Sequence, residues 1–542
     1  MGSSDSPESV VTEAINVDTV IVGGGFAGLY MLHRLRQRGV DVILFEAGDG
    51  VGGTWFWNRY PGARCDVESV DYSYSFSSEL EQEWEWTERF ATQPEILTYV
   101  NHVADRFGLL ESVKLSTRIE SAHFDESTNT WLVTTADGDV YRSKFCIMAT
   151  GCLSVPTAPD LPGEASFGGN IYHTGRWPQE PVDLVGKKVG VIGTGSSGTQ
   201  FIPVAATEAD HVYVFQRTPN FTVPANNRPL HEGELRDIKA HYTERREITR
   251  NSATGLFQDM NRTSALEVSP AVRQATYEKN WQTTGFGFIL SFSDLLSSPE
   301  ANQTAVDFLH ARTHELVDDP QVADALTKTS YPFGSKRPCV DTGFYAAFNR
   351  SDVSLVDVKS DPIVELTKTG IRTESQEIEL DVVVFATGFD AMTGALSRID
   401  IRGRGGVRLA DRWEGGPSTY LGLAVSGFPN LLTITGPGSP SVLSNMIVSI
   451  EHHVDWIDNL LVHMAAQELS VVEALELSEL QWTDHVDDVA YETLYPVGSS
   501  WYLGPEVGGR RRRFMPYAGG LRAYRRKCEQ VVADDYAGFV LK

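Results

Sequence analysis

The sequence is poor in cysteine and contains no C-x-x-C pair. Its 542 residues include five cysteines, at positions 65, 146, 152, 339 and 528. An odd number of scattered cysteines does not form a disulfide framework, and the missing C-x-x-C argues against a dithiol redox centre. This usage is typical of a reducing compartment, so we expect a cytoplasmic protein.

Long hydrophobic runs are also missing. The apolar stretch over 420–435 is interrupted by Gly422, Gly427 and Pro429, so it is not expected to span a membrane. The first sixteen residues are small, polar and acidic, without the basic-then-apolar order of a signal peptide. We therefore expect a disordered tail over residues 1–17 and no membrane as a partner.

Positive charge is in deficit as well. Lysine and arginine number 46 against 72 aspartates and glutamates, a net charge of −26. Such a chain repels nucleic acid and anionic membranes, so neither is an expected partner, and any basic site must be specific. We expect no metal site. The length and the 41% hydrophobic content suffice for several globular units.

Two glycine-rich turns in the sequence are typical of dinucleotide sites. The first follows the apolar run 19–22 and consists of Gly23, Gly25, Phe26, Ala27 and Gly28 within a G-x-G-x-x-G pattern. Helical spacing up to Arg38 and a second strand ending at Glu46 complete a β-α-β unit. Glycines let the backbone approach a pyrophosphate, and Glu46 can accept from ribose hydroxyls. This turn predicts FAD.

The second turn has the same context but a different ending. It follows the apolar run 189–192, and the second strand of this unit ends with Arg217 and Thr218 instead of an acidic residue. An arginine pairs with a 2′-phosphate, which a carboxylate would repel, so we expect NADPH. Lys336 can add charge there; the alternative for Arg217 is an exposed surface arginine. The predicted contacts of the turn are Gly193, Thr194, Gly195, Ser196, Ser197 and Gly198.

The order of these units predicts an α/β fold with two Rossmann-like dinucleotide-binding domains and a helical insertion. Strands ending in Ala-Thr-Gly, at 149–151 and 386–388, are expected to mark crossings between the domains. Cap residues followed by proline, at 269–270, 298–299 and 319–320, predict helix starts in the insertion. The expected boundaries are 18–150 with 386–542 for FAD, 151–224 with 331–385 for NADP, and 225–330 for the insertion.

Two longer motifs resemble the fingerprints of flavin-dependent Baeyer–Villiger monooxygenases. Residues 167–178 fit F-x-G-x-x-x-H-x-x-x-W-P, and residues 52–66 fit G-G-x-W-x-x-x-x-x-P-G-x-x-x-D. The resemblance covers nearly the whole chain and is greatest to phenylacetone, steroid and cyclohexanone monooxygenases. It implies that NADPH reduces FAD, that O₂ adds at the flavin C4a to give a peroxide, and that this attacks a ketone. The product would be an ester or lactone, with sulfoxidation as a side activity.

The resemblance also implies roles for single residues. Arg337 would stabilise the peroxide and alkoxide anions, and Asp66 would orient it; the alternative for Arg337 is a phosphate clamp or a surface residue. His173 invites a general-base role, but we favour a structural role between domains. Trp501 would fold over the nicotinamide, unless it is a core tryptophan. The four arginines at 510–513 are expected to form a solvated loop.

The remaining expected contacts follow from the same resemblance. Further FAD contacts are expected from Gly53, Thr54, Trp55 and Tyr72. The other residues expected to contact a cofactor are Asp66, Lys336, Arg337 and Trp501. The ketone pocket would be lined by Val67, Leu153, Ser441, Val442, Leu443 and Met446, which suits a hydrophobic aryl, cyclic or steroid-like ketone beside O₂. We expect a monomer.

Two rivals stay open at this stage. An N-hydroxylating or flavin-containing monooxygenase shares the two-dinucleotide plan but lacks Trp177-Pro178 and the Asp66–Arg337 arrangement. A non-catalytic redox sensor or scaffold with bound FAD is the rival from another class.

Overall fold

The computed structural model describes residues 14–258, 260–283, 285–498, 500–506 and 511–542. Residues 1–13 of the predicted disordered tail lie outside this range. Its last residues are not a tail, because the first strand starts at Ile15 and Ile15 pairs with Tyr141. The sequence prediction placed this boundary too late because the first half of β1 contains polar Asn16 and Asp18, and the buried half of the strand begins only at Thr19.

The described part of the chain contains the following strands, in chain order: β1 (Ile15–Val22), β2 (Val42–Phe45), β3 (Val113–Lys114), β4 (Ile119–Asp125), β5 (Thr130–Thr135), β6 (Val140–Met148), β7 (Asn170–His173), β8 (Lys188–Ile192), β9 (His211–Gln216), β10 (Thr222–Pro224), β11 (Cys339–Asp341), β12 (Val353–Asp357), β13 (Ile363–Leu366), β14 (Gly370–Thr373), β15 (Glu377–Glu379), β16 (Val382–Phe385), β17 (Asp400–Arg402), β18 (Leu431–Thr433), β19 (Val472–Ala474) and β20 (Phe539–Leu541).

The α-helices of the same residues are α1 (Phe26–Gln37), α2 (Thr54–Trp57), α3 (Ser78–Glu83), α4 (Gln93–Arg106), α5 (Ser196–Glu208), α6 (Glu232–Ala240), α7 (Tyr242–Asn251), α8 (Pro270–Thr283), α9 (Pro299–Leu316), α10 (Pro320–Thr327), α11 (Phe344–Ala347), α12 (Gly394–Ser397), α13 (Leu409–Arg412), α14 (Met446–Ala466), α15 (Glu476–Tyr491) and α16 (Leu521–Ala533). Short 3-10 turns cover Leu109–Ser112, Glu164–Ser166, Thr174–Arg176, Gly285–Leu290, Arg404–Gly406, Ser441–Leu443 and Tyr495–Val497.

The first sheet combines strands from both ends of the chain. Its order is β17-β4-β5-β6-β1-β2-β3, with β18 also paired to β6. β1 runs parallel to β2 and β6, and its last four residues are buried, as expected for a parallel strand covered on both faces. The G-x-G-x-x-G turn therefore sits at the carboxyl end of a central strand, where α/β sheets bind ligands.

The second sheet has the order β12-β9-β8-β16-β7 and is parallel throughout. β16, which returns after the insertion, lies beside β8 and places residues 386–388 next to the second glycine turn. The 167–178 fingerprint supplies β7, the edge strand, and Trp177 is buried against Phe201 of α5. The fingerprint is thus packed into the second dinucleotide-binding unit.

Helices dominate residues 225–330, where α6 to α10 lie. The predicted starts at the cap–proline pairs are confirmed, because α8, α9 and α10 begin at Pro270, Pro299 and Pro320. Ser298 and Asp319 accept backbone N–H groups as N-caps. These helices have an apolar core of their own around Phe288, Phe308 and Phe333. No helix of the described residues is both long and apolar enough to cross a lipid bilayer.

Candidate active site

Both glycine turns open into one cavity of about 1560 Å³. This volume exceeds the roughly 300–1,000 Å³ typical of a site for one small molecule. Its wall includes Gly23 and Gly25 from the first turn, Gly193 and Gly195 from the second, and the Ala-Thr-Gly segments 149–151 and 386–388. The two predicted dinucleotide sites are therefore parts of a continuous space.

The turns are built to accept a pyrophosphate. α1 and α5 begin after Gly25 and Gly195 without a side-chain cap and without an acidic residue in the first turn. Their first N–H groups therefore face the cavity with positive partial charge. A Cβ on Gly195 would meet no neighbouring atom, so the space above this turn is open to a ligand.

Two predicted contacts of the turns, Gly28 and Gly198, do not line the cavity. A Cβ on Gly28 would lie 1.9 Å from the carbonyl oxygen of Gly23, and a Cβ on Gly198 would lie 2.2 Å from that of Gly193. These glycines allow the helix to pack closely against its strand, which shapes the turn from behind.

Glu46 lies on the cavity wall beside the first turn and is almost fully buried. Its carboxylate accepts hydrogen bonds from the backbone N–H groups of Gly24 (2.6 Å) and Gly48 (2.8 Å). Burial raises the pKa of Glu46, while these hydrogen bonds lower it, and the net shift is upward. Its remaining lone pairs suit the ribose hydroxyls of an FAD, as predicted from the sequence.

Arg217 and Lys336 lie together on the wall at the second turn. Burial and the nearby Arg217 lower the pKa of Lys336. No carboxylate of the described residues forms an ion pair with either cation, although acidic residues dominate the chain. Unpaired neighbouring cations are costly, so this pair suits a dianionic 2′-phosphate.

Arg337 and Asp66 form the bidentate pair that the sequence predicted. Nε of Arg337 donates to Oδ2 of Asp66 (2.7 Å) and a terminal nitrogen donates to Oδ1 (2.9 Å). The other terminal nitrogen donates to the carbonyl oxygen of Val442 (2.8 Å). Burial lowers the pKa of Arg337, but Asp66 raises it by more, so the net pKa lies above the usual value. The guanidinium is therefore charged at any physiological pH.

This pair is assembled from separate segments. Arg337 precedes β11, Asp66 ends the 52–66 motif, and Val442 belongs to the 3-10 turn Ser441–Leu443. Both charged side chains are largely buried, 20% and 24% exposed. A guanidinium has five N–H groups, and three are used by these contacts. Two N–H groups remain for a ligand in the cavity.

The 52–66 motif connects the first turn to α5. A Cβ on Gly53 would lie 2.8 Å from Cα of Gly25, and one on Gly62 would lie 2.3 Å from the carbonyl oxygen of Gln200. Tyr60 donates to Oε1 of Gln200 (2.7 Å). Gln200 was not predicted, because a glutamine within a helix carries no sequence signal for a contact with a remote motif.

The predicted ketone pocket is only partly on the cavity wall. Val67, Leu153, Val442 and Met446 line the cavity, together with Thr54, Trp55, Tyr72 and Trp501. Ser441 and Leu443 do not. Ser441 is fully buried with φ of 43°, and its hydroxyl donates to Sδ of Met392. Ser441 therefore shapes the turn that presents the Val442 carbonyl.

His173 lies outside the cavity wall. Its Nδ1 accepts from the backbone N–H of Gly175 (2.9 Å), and Nε2 lies 3.3 Å from the carbonyl oxygen of Thr157 and from the hydroxyl of Thr387. Burial lowers the pKa of His173. These contacts connect the fingerprint to a domain crossing and support the structural role over a general base.

The expectation of a solvated loop at 510–513 fits Arg511, which is exposed, but not Arg512 and Arg513. Arg512 donates to the carbonyl oxygens of Leu503 and Gly504, and Arg513 pairs with Asp484 and Asp487 of α15. Arg510 lies outside the described residues. The arginine run looked solvated because its acidic partners lie more than twenty residues earlier in the chain.

Comparison with known proteins gives consistent results. The profile of the pyridine nucleotide-disulphide oxidoreductase family matches residues 17–254, although all five cysteines here are free and buried. A phenazine N-monooxygenase of Lysobacter antibioticus is 42% identical, covering 97% of each chain. Cyclohexanone 1,2-monooxygenase of an Acinetobacter species is 38% identical, over 98% of this chain and 97% of its own.

Solved structures agree in fold as well as in sequence. An oxidised steroid monooxygenase bound to NADP has a TM-score of 0.93 and 47% identity, over 97% of this chain and 99% of its own. The NADP⁺-bound cyclohexanone monooxygenase of Rhodococcus sp. Phi1 has a TM-score of 0.95 and 40% identity, over 98% of this chain and 100% of its own. With both fingerprints intact and these relatives spanning nearly the whole chain, the protein belongs to the family of FAD- and NADP-dependent Baeyer–Villiger monooxygenases.

Proposed function

We propose that this enzyme uses NADPH and O₂ to insert one oxygen atom beside the carbonyl of a hydrophobic ketone, giving an ester or lactone and water. The observation that carries the proposal is the Arg337 guanidinium. Asp66 and the Val442 carbonyl hold it beside a cavity shared by two dinucleotide turns. When bound, FAD supplies the electron transfer from NADPH to O₂ and the reactive oxygen.

The chain itself supplies position and electric field. Oxygen transfer to a ketone carbonyl passes through an alkoxide, whose negative charge develops on the former carbonyl oxygen. The two N–H groups of Arg337 that remain free can donate to that oxygen in a largely buried site, where charge-assisted hydrogen bonds are strong. Because this charge is absent from the bound ketone, the stabilisation lowers the barrier instead of merely tightening binding.

The substrate class follows from the wall near Arg337. Val67, Leu153, Val442 and Met446 present apolar surface there, which favours a hydrophobic ketone over a charged one. The unbranched, flexible Met446 can adapt to ketones of different shape. We therefore propose cyclic, aryl or steroid-like ketones, with sulfoxidation as a side activity.

A second candidate is oxidation of an aromatic ring nitrogen. It is favoured by the 42% identity to a phenazine N-monooxygenase. Transfer of oxygen to a neutral nitrogen forms no alkoxide, so this reaction needs Arg337 less than ketone oxidation does.

The test is to supply NADPH and O₂ with a panel of cyclic, aryl and steroid ketones and with phenazine, and to identify the products. We expect esters or lactones from wild type and none from Arg337→Ala that retains FAD. Phenazine N-oxide without any ester, especially if Arg337→Ala also forms it, would establish the second candidate instead. Failure to oxidise NADPH with any substrate would support the scaffold alternative.

The quaternary state and the compartment are further parts of the proposal. We propose a monomer in the cytoplasm. Five free, buried thiols suit a reducing compartment. Sedimentation of the FAD-loaded enzyme at micromolar concentration tests the first, and localisation of a tagged chain in its own host tests the second.

A further inference from the structure

An aromatic ring of the helical insertion lies against the active-site arginine. Phe286 is the second residue of the 3-10 turn Gly285–Leu290, and its ring centroid lies 4.4 Å from Cζ of Arg337. The ring is half-buried and packs against the apolar core of the insertion. Nothing in the sequence singled out Phe286, because it stands 51 residues before Arg337 in a segment without a motif.

Phe286 and the polar partners of Arg337 hold different parts of the guanidinium. Asp66 and the Val442 carbonyl accept from N–H groups, which lie in the plane of the group and around its edge. Edge hydrogen bonds fix the in-plane orientation but oppose tipping only weakly. A ring against the face opposes tipping and excludes water from that face, and the ring quadrupole attracts the cation.

The contact comes from outside the cavity. Of the described residues, Arg337 lines the cavity wall and Phe286 does not. An effect of Phe286 on a ligand in the cavity would therefore be transmitted by Arg337.

We propose that Phe286 is a positioning residue for Arg337, and that through it the helical insertion takes part in oxygen transfer. The inference rests on the proposed function. A ring on one face of the guanidinium keeps the two free N–H groups aimed at the developing alkoxide. Loss of the ring then lowers the rate of oxygen transfer while the ketone and both cofactors still bind.

The chain offers a matched control for this contact. Phe257 lies against Arg245 with 4.2 Å between its ring centroid and Cζ, and Arg245 pairs with Asp71. Phe257→Leu removes the same type of ring–guanidinium contact from the same part of the chain. It does not touch Arg337, so it reports any general loss of stability.

The experiment compares Phe286→Leu, Phe286→Tyr and Phe257→Leu with wild type, using two ketones of different size. We expect Phe286→Leu to lower kcat for ester formation by about three- to thirtyfold and to raise the share of NADPH consumed without ester. KM for both ketones should stay within about twofold, since the ring does not line the cavity. Phe286→Tyr keeps the ring and should restore kcat, and Phe257→Leu should match wild type.

A second readout is independent of turnover. The Nε–H resonance of Arg337 in ¹⁵N-arginine-labelled protein, assigned with Arg337→Lys, should exchange with water faster in Phe286→Leu than in wild type. It should be unchanged in Phe257→Leu. Wild-type kcat and unchanged exchange in Phe286→Leu would overturn the inference, as would a loss confined to KM.

The outcomes of these measurements distinguish a failure of the proposed function from a failure of the role proposed for Phe286. Wild type that makes no ester from any ketone refutes the proposed function, whatever the Phe286 variants do. Wild type that makes ester while Phe286→Leu does so equally well refutes only the role of Phe286.

Discussion

Asp66 is the only carboxylate of the described residues that pairs with Arg337. We expect Asp66→Ala to lower kcat for ester formation by roughly ten- to a hundredfold, about 1.4–2.8 kcal/mol. The guanidinium keeps its charge but loses two of its three hydrogen-bond acceptors, so its orientation is less restricted. Asp66→Asn should fall between wild type and Asp66→Ala, because an amide accepts through one oxygen only. Stopped-flow mixing of reduced enzyme with O₂ and ketone measures the step.

Arg217 tests the preference for NADPH. Arg217→Ala should raise KM for NADPH by about one to two orders of magnitude, since a hydrogen bond to a charged group contributes roughly 1.5–3 kcal/mol. NADH, which lacks the 2′-phosphate, should be used about as well as before. Arg350→Ala, which removes an exposed arginine paired with Asp352, is the control. Equal losses with both coenzymes would show that Arg217 does not contact the phosphate.

Two glycines of the second turn are expected to affect different properties, Gly198 the stability of the fold and Gly195 the binding of NADPH. Gly198→Ala places a Cβ 2.2 Å from the carbonyl oxygen of Gly193, whereas Gly195→Ala meets no protein atom. We expect Gly198→Ala to destabilise the fold by about 1–3 kcal/mol, lowering the thermal midpoint. Gly195→Ala should leave the thermal midpoint unchanged and weaken NADPH binding, because the added methyl group occupies the open space above the turn where the pyrophosphate would lie.

Thermal melting and NADP⁺ titration of both variants provide the check. A normal NADP⁺ affinity in Gly195→Ala would mean that the pyrophosphate does not approach this turn.

The two fingerprints differ in role: residues 167–178 mainly pack between elements, whereas residues 52–66 also form much of the cavity wall. His173 and Trp177 of the first fingerprint contact the domain crossing and α5, and Tyr60 and Gly62 of the second contact α5 as well. The second fingerprint therefore joins the first dinucleotide-binding unit to α5 of the second. Most residues of this fingerprint, Asp66 among them, also line the cavity, which explains why the motif predicts a reaction class.

Buried histidines make the molecule as a whole sensitive to acid. Burial lowers the pKa of His33 to about 4 and that of His453 to about 3, and it lowers the pKa of His452 and His173 too. The folded state thus keeps neutral imidazoles that the unfolded chain protonates below about pH 6.5. The unfolded state binds more protons there, so stability is full above this pH and is lost as the pH falls.

His453 is the best position for testing this. Its Nδ1 accepts from the N–H of Thr435 and its Nε2 bonds to the hydroxyl of Tyr524. His453→Gln should have a lower thermal midpoint at pH 8 but a shallower fall towards pH 5, because one proton-linked group is gone, worth at most about 1.36 kcal/mol per pH unit. Substitution of the exposed His231 by Gln is the control. A slope as steep as that of wild type would assign the acid sensitivity to other groups.

Local patterns in the chain were sufficient for the fold class, the two glycine turns and the helix starts at Pro270, Pro299 and Pro320. These features depend on short-range rules: glycine spacing at a strand end, cap chemistry, and apolar periodicity. The pairing of Arg337 with Asp66 was found through family resemblance, because no local rule connects residues 271 positions apart.

Other features came from packing alone. Phe286 reaches Arg337, Gln200 holds Tyr60, and Arg513 pairs with α15 because the folded chain brings remote segments together. Gly28 and Gly198 matched a binding pattern, yet steric contact with their own strands explains them. Each such contact depends on three-dimensional distances of a few ångström, and spacing along a chain does not encode these until every intervening element has been placed.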